Sequence, residues 1–139
     1  MNGDPPSLGL IDTNIVIHLA ALDPVHLPDQ MVLSAVTLAE LSAGPHHTDD
    51  PAERARRTSV LQHAEATFDP LPFDTDAARA FGLVSAAVLV SGRKRRRRLA
   101  DLMIASIAVV NELPLFSTDP DDFTGLDDLL AVHAVPRPA

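Results

Sequence analysis

The chain has 139 residues, 46% of them hydrophobic, which is enough for one domain with a core of its own. It contains no cysteine, which excludes disulfides and thiolate metal sites and leaves oxygen or imidazole as metal ligands. The net charge of −8 argues against a protein that coats nucleic acid, and no segment approaches the ~20 uninterrupted apolar residues of a membrane span. We therefore expect a cytoplasmic protein with no membrane partner.

The first part of the chain alternates short apolar runs with helical stretches. Leu8–Ile11 is apolar and bounded by polar residues, as in a buried parallel strand, and the segment after it predicts a helix over residues 13–22. Residues 31–35 predict a second strand, and residues 36–43 predict a helix that ends at Gly44. This order of strand, helix, strand and helix favours a parallel α/β sheet.

Two longer helices follow. An aspartate to cap at Asp49 or Asp50, Pro51 in the first turn and Glu53 near the positive helix end predict a helix that runs to about Phe68. Its inner stripe comprises Val60, Leu61, Ala64 and Phe68. Residues 74–90 predict a second amphipathic helix whose apolar positions are Ala77, Phe81, Val84 and Val88. We expect these helices to form a hairpin arm beside the sheet, with a short third strand at residues 71–73.

The last third of the chain completes the α/β pattern. Residues 99–112 are apolar nearly all round, which is typical of a central, buried helix. Leu115 and Phe116 begin another strand, which ends at the segment "STDPDDF", and residues 131–135 predict an edge strand. The fold class predicted is a three-layer α/β/α sandwich with a mainly parallel central sheet.

Four carboxylates stand at positions that the core pattern does not explain. Asp12 ends the first strand, Glu40 lies about a turn into the second helix, Asp101 opens the apolar helix and Asp119 follows the strand at Leu115. In open α/β sheets, the carboxyl ends of parallel strands form the crevice where ligands bind. Asp12 and Asp119 would lie there, and Glu40 can lean back towards it. Asp101 reaches the crevice if its helix crosses the face of the sheet.

Each acid also has an ordinary structural interpretation. Asp12 and Asp101 could be helix caps, Glu40 a solvated helical residue and Asp119 the start of a turn before Pro120. Taken together, four acids embedded in apolar sequence at element ends favour a shared site.

Carboxylates within a few ångströms of one another repel, and a divalent cation removes that conflict. Oxygen ligands without cysteine, and without a histidine beside the acids, select hard Mg²⁺ or Mn²⁺ over zinc. Within "STDPDDF", Pro120 favours a tight helical turn after Asp119. We expect that turn to direct Asp122 towards the site and Asp121 towards solvent, with Phe123 in the core.

The ordered set of acidic motifs resembles that of PIN-domain ribonucleases, and most closely the toxins of bacterial VapBC toxin-antitoxin pairs. The resemblance covers residues 8–133 and is carried by "LIDTN", "LAEL", "LADLMIAS" and "STDPDDF". It implies a single PIN-like domain over residues 1–139, with residues 1–7 flexible ahead of the first strand.

The resemblance also implies what the site does. It implies that Asp12, Glu40, Asp101 and Asp119 hold Mg²⁺ or Mn²⁺ and activate water to cleave RNA phosphodiester bonds. Supporting residues near the metal would be Thr13, Asn14, Ser117, Thr118 and Asp122. The implied partners are the RNA substrate, a second copy of the chain in a homodimer, and a VapB-like antitoxin whose C-terminal segment enters the acidic crevice.

One basic run stands out in this acidic chain. Six of the 11 lysines and arginines lie between Arg93 and Arg98, so the rest of the chain carries about −14. The run comprises Arg93, Lys94, Arg95, Arg96, Arg97 and Arg98. It could be a solvated turn, but its position just before Asp101 favours a segment that binds RNA phosphates beside a repulsive acidic crevice.

Two classes of function fit these patterns. The first is a metal-dependent endoribonuclease toxin neutralised by an antitoxin. The second is a non-catalytic interaction domain on the same fold, with the acids serving as caps or as a vestigial ion site.

Overall fold

A parallel sheet forms the centre of the molecule in the computed structural model, which describes residues 4–91 and 98–138. Its four strands are β1 (Leu8–Ile11), β2 (Gln30–Val32), β3 (Leu115–Ser117) and β4 (Val132–Ala134). They lie in the order β2-β1-β3-β4, and every neighbouring pair is parallel. The carboxyl ends of the two central strands, β1 and β3, therefore lie side by side.

Several helices begin directly after a capping side chain. Their bounds are α1 (Thr13–Ile17), α2 (Ala35–Ala43), α3 (Pro51–Thr67), α4 (Thr75–Val90) and α5 (Leu99–Val110). Ser34, Asp50 and Asp74 each accept a hydrogen bond from a backbone N–H in the first turn of the helix that follows. A 3₁₀ turn over Pro120–Phe123 follows β3.

Adjacent residues of β1 point to opposite faces of the sheet, and each face carries its own apolar cluster. Leu10 packs with Leu115 and with buried residues of α4 and α5. Ile11 packs with Phe116 and with buried residues of α1, α2 and α3. Helices therefore cover both faces, which confirms the predicted α/β sandwich with a parallel central sheet.

Several predicted elements are confirmed closely. β1 coincides with the predicted strand, and α3 and α4 follow their caps to Thr67 and Val90. The predicted inner stripe of α3 packs on the Ile11 cluster, as Val60, Leu61, Ala64 and Phe68. β4 lies at the edge of the sheet, as expected for residues 131–135.

Other predictions were wrong in ways that tertiary contacts explain. α1 ends at Ile17 and gives way to 3₁₀ turns at Leu19–Ala21 and Pro24–His26, so the predicted helix over residues 13–22 is shorter. The predicted strand at residues 31–35 lies at Gln30–Val32, because Ser34 already caps α2. Leu71 forms only one isolated bridge, to Ser34, in place of a third strand.

The predicted hairpin arm is also replaced by a different packing. α3 packs beside α2 and contributes Ala64 to the Ile11 cluster, whereas α4 packs along α5 and contributes Ala77 and Val84 to the Leu10 cluster. The two helices belong to different layers because each buries its stripe on the core instead of on the other. Among the described residues, no helix is long and apolar enough to cross a membrane.

Gly9 provides a test of how tightly the sheet packs. A Cβ at this position would lie 2.4 Å from Cε1 of Phe116, whose ring is fully buried and stacks on His133. We expect Gly9→Ala to lower the free energy of unfolding by about 1–3 kcal/mol, as overpacking does elsewhere. Urea unfolding followed by circular dichroism measures this change.

The matched control is Gly82→Ala in α4, where an added Cβ meets nothing within 4 Å. There we expect a gain of up to about 1 kcal/mol, because alanine restricts the unfolded chain and favours helix. Equal effects of the two substitutions would contradict the packing argument.

Candidate metal centre

Asp12 lies at the carboxyl end of β1 and is 3% exposed. Its Oδ1 accepts a hydrogen bond of 2.8 Å from the backbone N–H of Thr13, so it caps α1 as one of its sequence interpretations predicted. Its Oδ2 accepts from Ser117 Oγ at 2.8 Å and from Asn14 Nδ2 at 3.2 Å. Donors of the protein itself, from the start of α1 and the end of β3, thus hold the Asp12 carboxylate in place.

Asn14 joins the ends of β1 and β3. Its Nδ2 lies 3.2 Å from Oδ2 of Asp12 and 3.2 Å from Oδ2 of Asp119. Its Oδ1 accepts from the backbone N–H of Thr118 at 3.2 Å, and Ser117 Oγ accepts from the N–H of Asp119 at 2.9 Å. This network positions Asp119 next to Asp12.

Glu40 reaches the site from α2, as predicted. Thr13 Oγ1 lies 2.5 Å from Glu40 Oε1 and 2.9 Å from Thr37 Oγ1. Thr13 and Thr37 are both buried, so the Thr13 hydroxyl that contacts Glu40 lies in the wall between α1 and α2.

Asp101 reaches the site from the first turn of α5 and is 2% exposed. The Arg98 guanidinium, just before the helix, lies 3.4 Å from Asp101 Oδ1 and 3.9 Å from Glu40 Oε2. Arg98 is therefore shared by acids from two helices, which places the start of α5 beside α2.

Burial and mutual repulsion shift the ionisation of these acids. The pKa of Asp12 is raised from 3.8 to about 6, mainly because burial penalises the charged form, and the charges of Asp101 and Glu40 add to the shift. Hydrogen bonds from Ser117 and Thr13 oppose it. Burial also raises the pKa of Asp101, and the Arg98 charge opposes that change.

The turn after β3 distinguishes the two acids of "DDF" as predicted. Asp121 is exposed, Asp122 is half-buried and Phe123 is buried in the Leu10 cluster. The charge of Asp122 acts on both Asp101 and Arg98, raising the pKa of each. Asp122 therefore lies within electrostatic reach of Asp101 and Arg98, whereas Asp121 lies on the exposed side of the turn.

Arg137 is a site residue that the sequence interpretation missed. Its guanidinium forms an ion pair with Oδ1 of Asp119. The available signal was the predicted edge strand: a parallel strand beside β3 delivers the residues after it to the same edge as Asp119.

Of the basic run, only Arg98 is described; Arg93, Lys94, Arg95, Arg96 and Arg97 lie outside the described residues.

The donor set fits a hard divalent cation in its chemistry, since it is rich in carboxylates and one of them is buried with a raised pKa. Within residues 4–91 and 98–138, however, no three acidic or histidine side chains are arranged to enclose an ion. Arg98, Arg137 and Asn14 instead lie among the carboxylates. Ion binding would require these donors to yield some of their contacts.

A groove of about 370 Å³ opens beside the acids, between α1, α2 and α3. Its apolar wall includes Ile17, Leu41 and Val60. Glu53, Arg56 and Arg57 of α3 also line the groove, and the polar end beside the acids is formed by Thr13, Asn14, Glu40, Arg98 and Asp119. An extended chain lying in this groove would meet the acidic cluster at that end.

The sequence profile of the PIN domain matches residues 9–129, which include Asp12, Glu40, Asp101 and Asp119. The chain belongs to the PIN domain family. The chain is 35% identical over 133 residues to Ribonuclease VapC5 of Mycobacterium tuberculosis (strain ATCC 25618 / H37Rv), covering 94% of this chain and 96% of that protein.

Two further similarities agree with this assignment. Ribonuclease VapC8 of Mycobacterium tuberculosis (strain CDC 1551 / Oshkosh) is 30% identical over 104 residues, covering 74% of this chain and 92% of that protein. The crystal structure of a member of the VapBC family of toxin-antitoxin systems, VapBC-5 from Mycobacterium tuberculosis, contains a chain that is 36% identical with a TM-score of 0.81. That match covers 95% of this chain and 100% of the other chain.

The raised pKa of Asp12 predicts how the stability of the ion-free PIN domain depends on pH. Because its carboxyl ionises near pH 6 when folded but near 3.8 when unfolded, the folded state loses stability as pH rises through that window. The loss attributable to Asp12 is on the order of 3 kcal/mol. We expect Asp12→Asn to be as stable as wild type or more so at pH 7, with a flatter pH profile.

Urea unfolding in EDTA between pH 4 and pH 8 measures both profiles. Asp127→Asn, on the exposed turn before β4, is the charge-matched control and should run parallel to wild type. A wild-type profile that also runs parallel to that of Asp12→Asn would show that Asp12 ionises normally.

Proposed function

We propose that this PIN domain is a divalent-metal-dependent endoribonuclease toxin, neutralised by a cognate antitoxin and acting in the cytoplasm on cellular RNA. The observation that carries the proposal is the meeting of Asp12, Glu40, Asp101 and Asp119 at one edge of the sheet, beside an open groove. The similarity to proteins named ribonucleases and to a VapBC toxin-antitoxin structure supports the reaction and the partner.

The four acids are the proposed ligands of Mg²⁺ or Mn²⁺. Such an ion, when bound, supplies an activated water and stabilises charge on the phosphate oxygens. Burial disfavours the charged form of Asp12 and raises its pKa, so a nearby cation would favour its ionisation.

The supporting side chains fix the acids in place. Asn14 and Ser117 hold the carboxylates of Asp12 and Asp119, and Thr13 holds Glu40. Thr118 contributes its backbone N–H to Asn14. These contacts reduce the freedom of the acids, so less order has to be created when an ion and RNA bind.

RNA carries a negative charge that the acidic cluster would repel. Arg98 stands at the rim of the cluster with its side chain 69% exposed, and we propose that it contacts phosphate together with the adjoining residues 93–97. The chain has no Tyr or Trp for base stacking, which favours recognition of the RNA backbone and shape.

The groove suits the C-terminal segment of an antitoxin. Its apolar wall would bury apolar side chains, while an arginine or lysine of the segment would reach Glu40 or Asp119 at the polar end. Inhibition would then follow because that arginine or lysine side chain occupies the acids and cannot activate water.

A homodimer is proposed as well, and the exposed Leu83, Leu89 and Val90 of α4 are the apolar surface that a second copy would cover.

A non-catalytic domain with a vestigial ion site is the second candidate. The observation that favours it is the pairing of Glu40 and Asp101 with Arg98, and of Asp119 with Arg137, in place of an enclosed cation position. A Mn²⁺ titration separates the two candidates, because only the enzyme should both bind the ion and cleave RNA.

The enzyme proposal predicts the effect of neutralising single acids. Asp12→Asn, Asp101→Asn and Asp119→Asn should each lower RNA cleavage by at least about 100-fold, or about 3 kcal/mol in activation free energy, and relieve growth arrest on expression. The fold should survive, because each change removes one of several repelling charges. Cleavage assays with Mn²⁺, together with circular dichroism, measure both outcomes.

Asp127→Asn is again the control, since it removes one exposed carboxylate and should cleave as wild type does. Full cleavage by all three site variants would remove the acids from the mechanism and leave the non-catalytic candidate.

The orientation of the turn after β3 predicts unequal effects of neighbouring acids. Asp122→Ala should weaken Mn²⁺ binding or cleavage about tenfold or more, because Asp122 acts on Asp101 and Arg98. Asp121→Ala should change cleavage little, because Asp121 is exposed. Calorimetric Mn²⁺ titration and cleavage rates measure the pair, and a larger loss from Asp121→Ala would contradict the assigned orientation.

A further inference from the structure

The C-terminal segment places a second arginine, in addition to Arg98, at the acidic cluster. Val135 is buried and its N–H donates to the carbonyl of Ser117 at 2.9 Å, which anchors the segment just beyond β4. Two residues later, Arg137 forms its ion pair with Oδ1 of Asp119. Because the hydrogen bond to Ser117 holds the segment against β3, the sheet determines where the backbone of Arg137 lies.

Both oxygens of Asp119 are engaged by donors of the chain itself. Oδ1 pairs with Arg137 and Oδ2 accepts from Asn14 at 3.2 Å. The contact with Asn14 belongs to the network that positions the acids, whereas the Arg137 side chain is 68% exposed and comes from outside that network. Arg137 is therefore the donor that can leave Asp119 with the least disturbance of the site.

Arg137 has space beside Asp119 into which it can turn. A second hollow of about 310 Å³ is lined by Asn14, His18, Thr118, Asp119, Arg137 and Pro138. A guanidinium that leaves Asp119 stays at the rim of the acidic cluster, because Val135 holds the backbone. Guanidinium groups bind phosphate oxygens with the same paired N–H donors that they offer to carboxylates.

We propose that Arg137 binds an RNA phosphate at the active site and is held on Asp119 until a divalent ion takes that carboxylate. This rests on the proposed function. Arg137 then has two roles in sequence: it competes with the ion for Asp119 in the free protein, and it binds substrate in the loaded protein. Removing its charge must strengthen ion binding and weaken RNA binding, which is a combination that a purely structural contact would not produce.

The first arm of the test measures ion binding without RNA. Isothermal titration of Mn²⁺ into the full chain should show Arg137→Gln binding up to about fivefold more tightly than wild type, the strength of a partly exposed ion pair. Arg137→Lys should fall between them, because it keeps the charge but loses the paired donors. Arg79→Gln removes an exposed arginine that pairs with Asp76 on α4, and as the charge-matched control it should resemble wild type.

The second arm measures RNA binding by the fluorescence anisotropy of a labelled single-stranded oligoribonucleotide. With Ca²⁺ as an ion that slows cleavage, Arg137→Gln should bind about tenfold more weakly, with a salt slope reduced by about 0.7. In EDTA the two proteins should differ much less, because Arg137 is then engaged by Asp119.

The outcomes separate this inference from the proposed function. If wild type cleaves RNA but Arg137→Gln matches it in both titrations, the inference is overturned and the ribonuclease proposal stands. A lower melting temperature with unchanged Mn²⁺ and RNA affinities would make Arg137 only a fastening for the C-terminal segment. If wild type neither binds Mn²⁺ nor cleaves RNA, both proposals fail.

Discussion

The rest of the site depends on one constraint, the burial of Asp12 at the carboxyl end of β1, beside β3. A carboxylate that is 3% exposed must be compensated, and the chain does so with N–H and O–H donors from Thr13, Asn14 and Ser117. These donors come from the start of α1 and the end of β3, so satisfying Asp12 also fixes how the two central strands end. The pKa of Asp12 is nevertheless raised, because these donors do not fully offset the cost of burying its charge. A nearby cation would reduce that cost.

The parallel sheet turns this local requirement into a shared site. Because β1 and β3 are neighbours and parallel, their carboxyl ends bring Asp12 and Asp119 together, and Asn14 spans the gap. Helix α5 crosses the sheet and delivers Asp101 to the same edge, while α2 delivers Glu40. Such an edge is where ligands bind in open α/β sheets. The chemistry of the site thus follows from strand order as much as from residue type.

The acids are balanced by cationic side chains in the structure. Arg98 lies between Asp101 and Glu40, and Arg137 lies on Asp119. Arginine is suited to this because its planar donors match carboxylates in one state and phosphates in another. The proposed binding of a metal ion, an anionic substrate and an inhibitory protein segment would require the site to exchange partners of opposite charge. Exposed ion pairs are weak enough to permit that exchange.

The sequence alone determined the features that depend on local chemistry. Apolar runs and capping residues located β1, α3, α4 and α5, and Pro120 located the turn that separates Asp121 from Asp122. The four acids could be singled out because a carboxylate in an apolar run needs a reason wherever the chain places it. Their meeting at one edge is what the structure adds; their roles as metal ligands remain a proposal.

Only the tertiary structure decided which elements are neighbours. It placed α3 and α4 in different layers and reduced residues 71–73 to a single bridge at Leu71. Each of these depends on contacts between residues far apart in sequence, which periodicity does not encode. Arg137 is the clearest case: 18 positions from Asp119 in the printed sequence, it reaches that acid only because β4 pairs in parallel with β3 and carries the chain to the same edge.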